Sequence, residues 1–210
     1  MPARSQLGRA PEAILAATER LLAERPLHEL RVAEIIAAAG VSRSSFYAHF
    51  DSKAAVIAEC LRRALSEITL AFEPVHATAD DGLEAAIRAS LRSWARICER
   101  HGALLLAASE EWPADRRLGE PWLAMLTDVA AGTARLVDDL RARGLAPAGA
   151  DPAALSDCLT WGFERVLQVA LAGGAEGLED AGAIVEPLTQ MMLGGLFGRA
   201  PARPGAGIEP

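Results

Sequence analysis

The stretch that decides the fold reads Val41-Ser42-Arg43-Ser44-Ser45-Phe46-Tyr47-Ala48-His49-Phe50-Asp51-Ser52-Lys53 and follows directly on Gly40. Ser42 is a good N-cap, since its hydroxyl can accept from the free N–H groups of a first helical turn. The helix it opens is short and carries Phe46 and Tyr47. Asp51 or Ser52 then caps another helix. Upstream, Val32, Ile35, Ile36 and Ala39 share one helical face that stops at Gly40, the residue type that turns through positive φ without strain. Two short helices on a tight glycine turn form a helix-turn-helix. In that geometry a second helix can enter a major groove while the first crosses the backbone.

Working outward, Pro11 and Glu12 suit a helix's first turn, and Ile14, Leu15, Leu21 and Leu22 make an apolar stripe ending at Arg25-Pro26. Residues 1–10 are polar, with Arg4 and Arg9 as candidate basic arm residues. Beyond Lys53, a helix with Val56, Ile57, Cys60, Leu61, Leu65 and Ile68 facing inward is expected to break in the Pro74 to Asp81 stretch. Further helices are predicted over Leu83 to Arg100, Ala103 to Ser109 and Pro121 to Arg143, the last closed by Gly144 and Pro147. Two more are expected, Pro152 to Ala172 behind the N-cap Asp151, and Asp180 to Phe197. Residues 199–210 place Pro or Gly at nearly every third position and are expected to be a disordered tail.

Composition agrees with helix. Ala (44) and Leu (28) dominate, and 51% of residues are apolar with a mean hydropathy of +0.16, enough for a sizeable core. The expected class is all-α, with about nine helices. No apolar run approaches the ~20 residues of a membrane span, and no secretory signal is legible at the N-terminus. Cys60, Cys98 and Cys158 stand far apart, which fits neither a disulfide framework nor a zinc site and suggests a reducing cytoplasm.

Charge is uneven along the chain. The formal net is −7, but residues 1–63 hold nine basic against seven acidic groups, a net of +2, leaving twelve against 21 in the remainder, a net of −9. A mildly basic head on an acidic body fits a local polyanion contact. Enzyme readings find no support. There is no Gly-rich phosphate loop, nucleophile elbow or His-Glu cluster at metal spacing, so neither a metal nor a cofactor is expected. His28, His49, His76 and His101 are scattered, and Glu110-Glu111 and Asp138-Asp139 point to different helix faces.

From Glu12 to Leu61 the order, spacing and aromatic pair resemble the DNA-binding segment of the TetR family of transcriptional regulators. Arg143-Gly144-Leu145-Ala146-Pro147, Glu164-Arg165 and the placing of Trp122 resemble the ligand domain of mycobacterial ethionamide-resistance repressors, a branch of that family. The resemblance implies a helix-turn-helix domain over residues 1–63, and a ligand-binding and dimerisation domain over 64–198. It also implies a homodimer whose recognition helices lie about 34 Å apart, one turn of double-stranded DNA.

Eight head residues are candidates for DNA contact. Arg43, Ser44 and Ser45 occupy the turn nearest base edges, where Arg43 could bind guanine bidentately. Ser42 caps its helix, and the resemblance adds a phosphate contact. Tyr47 and His49 could aim polar atoms at phosphate. Arg31 stands where relatives carry a capping Ser or Thr, so it either replaces that contact electrostatically or leaves the helix weakly capped. Lys53, the only lysine in the chain, opposes the helix dipole, a problem that a docked phosphate would repair. The resemblance implies such a backbone contact. Phe46 and Phe50 are expected in the core.

In the body, Trp122, Met125, Leu126, Val129 and Thr133 share one helix face at three- and four-residue steps. They are expected to line a cavity beside Trp94, Thr160, Phe163, Leu167 and Met191, with Glu164 as polar handle or, equally, as a surface partner of Arg165. Such a cavity suits a flat or elongated small hydrophobic effector carrying a carbonyl or amine. The resemblance places the dimer seam on the last two helices, through Leu155, Leu159, Val166, Val169, Ile184, Leu188, Met191 and Leu196, with Gly162, Gly194 and Gly195 allowing close approach. The expected function is a cytoplasmic repressor on a palindromic operator, released by its effector. The alternatives are a helical ligand-binding protein without DNA binding, and a DNA-binding activator.

Overall fold

The computed structural model describes residues 10–77, 82–174, 176 and 180–197. They form eight α-helices and one 3-10 turn, with no strand among the described residues. In order these are α1 (Ala10–Glu24), the turn (Leu27–Glu29), α2 (Val32–Ala39), α3 (Arg43–His49) and α4 (Lys53–Ala77). They continue as α5 (Leu83–Glu111), α6 (Arg116–Ala142), α7 (Pro152–Leu171) and α8 (Val185–Phe197). The arm residues Arg4 and Arg9, and the tail over 199–210, lie outside the described residues.

Several helix ends differ from expectation, some for a tertiary reason and some through a local cap. The segments Leu83 to Arg100 and Ala103 to Ser109 are one helix bent at His101 (φ −106°, ψ 15°). Gly102 beside the bend does not end it. A Cβ there would lie 3.1 Å from Leu171, so the glycine admits the end of α7 instead. The helix α4 ends at Ala77, inside the expected Pro74 to Asp81 stretch, but Pro74 itself stays within it, with Phe72 and Val75 buried on either side. A proline forfeits one ladder hydrogen bond, and burial of its neighbours outweighs that here. Likewise α6 begins at Arg116 rather than Pro121, because Asp115 accepts from the Arg117 N–H at 2.9 Å. Asp180 caps only a turn, accepting from Ala183, and α8 starts at Val185. As expected, Asp151 accepts from the Ala154 N–H at 3.0 Å ahead of Pro152, and Gly144 closes α6 at φ +71°.

One hydrophobic core runs through the chain. In the head it joins Ile14, Leu15, Ile35, Phe46, Val56 and Leu61; it then follows α4 through Leu65, Ile68 and Phe72 to Ile87, Leu91 and Leu104. The continuous α4 therefore belongs to both ends of the molecule, and residues 63 and 64 fall inside it. Burial pushes the Cys60 thiol up to about 12 and raises that of Cys98 as well, so both are inert packing residues. No helix among the described residues is long and apolar enough to cross a membrane.

Candidate functional site

The head begins with α2, whose first residue is preceded by Arg31. A guanidinium has no acceptor, so Arg31 cannot cap with its side chain. The reciprocal contact is present instead. The Glu34 carboxylate accepts from the Arg31 N–H at 2.9 Å and is held by Arg25 at 2.6 Å. That backbone hydrogen bond, then the Arg25 guanidinium, keeps the Glu34 carboxyl below the usual carboxylate range. The helix is thus capped without Ser or Thr, and the exposed Arg31 side chain is not used in the cap. At the other end Gly40 adopts φ +64°, which lets its N–H and that of Val41 close the last turn on Ala37 and Ile36.

The turn delivers α3. Ser42 accepts from the Ser45 N–H at 3.0 Å and shares a hydrogen bond with the Ser44 hydroxyl at 2.9 Å. Phe46 is fully buried and Phe50 nearly so, rooting the helix in the head core. Its outer side carries Arg43, Ser44, Tyr47 and His49, all exposed, while Ser45 is half-buried. The Arg43 guanidinium lies 5.6 Å over the Tyr47 ring, a cation–π contact that stiffens both side chains. Lys53 differs from the expected free cation, because its Nζ donates to the Leu27 carbonyl at 2.8 Å. That carbonyl, in the turn before α2, offsets the unfavourable helix dipole that a phosphate was expected to offset. Two of the ammonium's three donors remain.

In the body, α4, α5, α6 and α7 enclose a cavity of about 50 Å³. Nine expected residues line it: Trp94, Trp122, Met125, Leu126, Val129, Thr160, Phe163, Glu164 and Leu167. Two expected residues do not. Thr133 is buried but turns its hydroxyl back to the Val129 carbonyl at 3.0 Å, the usual resort of a helical threonine. Met191 is 39% exposed on α8, a helix that contributes nothing to the lining. Leu65, Ile68 and Phe72 of α4 and Leu105 of α5 complete the walls and were missed. Their apolar spacing was legible, but nothing local separates a cavity-facing leucine from a core one. An open groove of about 340 Å³ lies outside, between α4 and α6, and shares Leu65 and Met125 with the cavity.

Glu164 is half-buried. Burial pushes its carboxyl above the usual carboxylate range, against the pull of Arg165. Arg165 does not pair with it directly. The guanidinium donates to Gln168, and Gln168 donates to Glu164 at 2.8 Å.

Four polar contacts tie α5 and α6 to α1, to α4 and to the residue before α4. His101, at the bend of α5, meets Glu19 of α1 at 3.0 Å and Glu67 of α4 at 3.6 Å. Arg100 also pairs with Glu67 at 2.8 Å. Arg117, near the start of α6, donates at 3.0 Å to Ser52, the residue before α4. The expected seam is partly spent inside the chain, since Leu159, Ile184, Leu188 and Leu196 are all buried within it. The glycines serve the same packing: a Cβ on Gly195 would meet Leu159 at 3.3 Å. What remains outside on α7 and α8 is Trp161, 42% exposed, with Met191 and Cys158.

A helix-turn-helix whose outer face is polar, joined through one helix to a cavity-bearing helical body, is the plan of a ligand-responsive transcriptional regulator. Comparison with known proteins makes this specific. Residues 14–60 match the family described as bacterial regulatory proteins, tetR family, and residues 84–198 match the C-terminal domain of the transcriptional regulator EthR. The chain belongs to the TetR family, whose members are transcriptional regulators and not enzymes. It is 28% identical over 187 residues to the HTH-type transcriptional regulator EthR of Mycobacterium tuberculosis H37Rv, covering 89% of this chain and 86% of that one. To EthR of Mycolicibacterium smegmatis it is 28% identical over 189 residues, covering 90% and 87%. Among solved structures, Salmonella enterica GusR superposes with a TM-score of 0.70 at 22% identity, covering 89% and 95%. A SmeT–triclosan complex superposes with a TM-score of 0.70 at 23% identity, covering 95% and 99%.

Proposed function

We propose that this chain is a homodimeric repressor that occupies a palindromic operator and leaves it when a small hydrophobic effector enters the body cavity. In this reading Arg43, Ser44 and Ser45 meet base edges, while Ser42, Tyr47, His49, Lys53 and Arg31 meet phosphates. The exposed Trp161 and Met191 centre the dimer seam, and the regulator works in the cytoplasm, where its DNA lies.

The size of the cavity carries the release step. Ligand pockets hold roughly 300–1,000 Å³, so about 50 Å³ accommodates a water or two and no effector. Entry must displace a wall, and α4 supplies three residues of that wall. Moving Leu65 and Met125 joins the cavity to the outer groove. Because α4 starts at Lys53 beside α3, a shift that admits ligand also moves the recognition helix. Arg117 on Ser52 and His101 on Glu19 would carry the same motion from α6 and α5. The effector then acts by favouring the opened state, and a swing from 1:99 to 99:1 needs about 10⁴-fold preference.

The test is selection of fragments from the source genome by the purified protein, followed by titration of the bound fragment against salt. Phosphate contacts require log affinity to fall linearly with log salt. A chain that stays monomeric and retains no fragment at low salt overturns the reading.

A further inference from the structure

The cavity's polar complement is small and lopsided. Trp122 is 2% exposed, and its indole Nε1–H has no hydrogen-bond partner. A buried donor left unpaired is unfavourable, so Trp122, a wall residue of the cavity, is short of one acceptor. Glu164 is the one ionisable group in the lining. Its Oε1 accepts from Gln168 at 2.8 Å, and Gln168 is oriented by its own carbonyl, which accepts from Arg165 at 2.5 Å. This relay presents a donor to Glu164 and so holds the carboxyl as an acceptor. The other walls are leucine, isoleucine, valine, methionine, phenylalanine and tryptophan, with the Thr160 hydroxyl one turn before Glu164 as the remaining polar side chain, and burial raises the Glu164 pKa.

We propose that the cavity selects an apolar molecule bearing a basic amine, paired by Glu164, and a hydrogen-bond acceptor, taken by Trp122. The inference rests on the cavity being the effector site and adds its chemistry. A pure hydrocarbon would complete the desolvation of Glu164 and leave it without a counter-charge. A carboxylate-headed ligand, such as a fatty acid, would set like charges together in an apolar space. A neutral alcohol can donate to Glu164 but leaves its charge uncompensated. A protonated amine removes that deficit, and an ether or carbonyl oxygen elsewhere on the ligand satisfies the indole.

Four matched compounds test this on the full-length protein by calorimetry near neutral pH: phenylbutylamine, phenylbutanol, phenylbutyrate and butylbenzene. The amine is expected to bind roughly tenfold or more tighter than the alcohol, the preference a charge-paired hydrogen bond adds over a neutral one, with phenylbutyrate weakest. Glu164→Gln should reduce the amine to the level of the alcohol. Trp122→Phe should abolish any preference for propylanisole over ethylpropylbenzene, in which a methylene replaces the ether oxygen. Wild-type protein that binds phenylbutyrate or butylbenzene as tightly as the amine overturns the inference while leaving the cavity as effector site. So does an amine preference that survives Glu164→Gln. If none of the compounds binds, the cavity reading falls and the inference with it. The wild-type series needs no variant to fold.

Discussion

The head and the body handle their polar groups in opposite ways. In the head, Ser42 caps α3, Glu34 caps α2, Arg25 holds Glu34 and Lys53 reaches the Leu27 carbonyl. In the body, Trp122 Nε1, Ser90 Oγ, Ser156 Oγ, His76 Nε2 and His101 Nε2 are buried without a hydrogen-bond partner, and no such atom is found in α1, α2 or α3 among the described residues. A fully satisfied polar framework specifies one rigid arrangement, whereas a buried unpaired group favours whatever completes it, and of these five Trp122 lines the cavity. The contrast teaches a division of labour: the head is finished when it folds, and the body is finished by what it binds.

The largest effect that would break this contrast is removal of the head's root. Phe46→Ala deletes a fully buried ring from a rigid core with little room to collapse. It should cost about 3–5 kcal/mol in denaturant unfolding and abolish operator binding. Loss of under 1 kcal/mol would show that the head is as adaptable as the body.

Next comes a sign reversal within the body. A Cβ on Gly132 of α6 would lie 2.3 Å from the His76 ring of α4, so Gly132→Ala forces that imidazole out. We expect a net loss of about 1–2 kcal/mol from overpacking. With His76→Ala already in place, the same substitution should stabilise by about 0.5–1 kcal/mol through helix propensity. A double-mutant cycle by thermal unfolding reads both. Two losses would mean that a contact other than His76 fills the space.

Lys53→Ala sharpens the head side. It removes a hydrogen bond to Leu27 and, on our reading, one phosphate contact. Operator affinity should fall across all sequences, and the slope of log affinity against log salt should drop by about 1. Unchanged slope with reduced stability would assign the lysine to the Leu27 carbonyl alone.

The smallest effect is the pH response of the two body histidines. The Glu19 hydrogen bond raises the His101 pKa despite burial, so its stabilisation is complete below the unfolded value of about 6.5 and fades as pH rises through the higher folded value. Burial, then Arg135, lowers that of His76, so its contribution runs the other way, holding above the unfolded pKa and fading as pH falls through the folded one. His101→Gln should therefore lower the melting temperature more at about pH 6 than at about pH 8, and His76→Gln the reverse. Equal shifts at both pH values would remove the ionic link between α1 and α5 from the account.

How much was legible follows from where each signal acts. Gly40, Ser42 and the buried pair Phe46 and Phe50 behave as read, because a cap, a positive-φ turn and an amphipathic face are properties of a few adjacent residues. Nine of the cavity residues were legible from helical spacing together with family likeness. Thr133 and Met191 failed because spacing assigns a face without saying what covers it.

From sequence alone came the all-helical class, the helix-turn-helix and its polar outer turn, all set by contacts within about one helical turn, and, through resemblance, the regulator family. Folding alone decided that Pro74 stays inside α4, that Lys53 meets Leu27, that Leu159 and Leu188 serve the chain's own core, and that the cavity closes to about 50 Å³. These depend on how helices distant in sequence lie against one another, and packing settles that only after every face has found its partner.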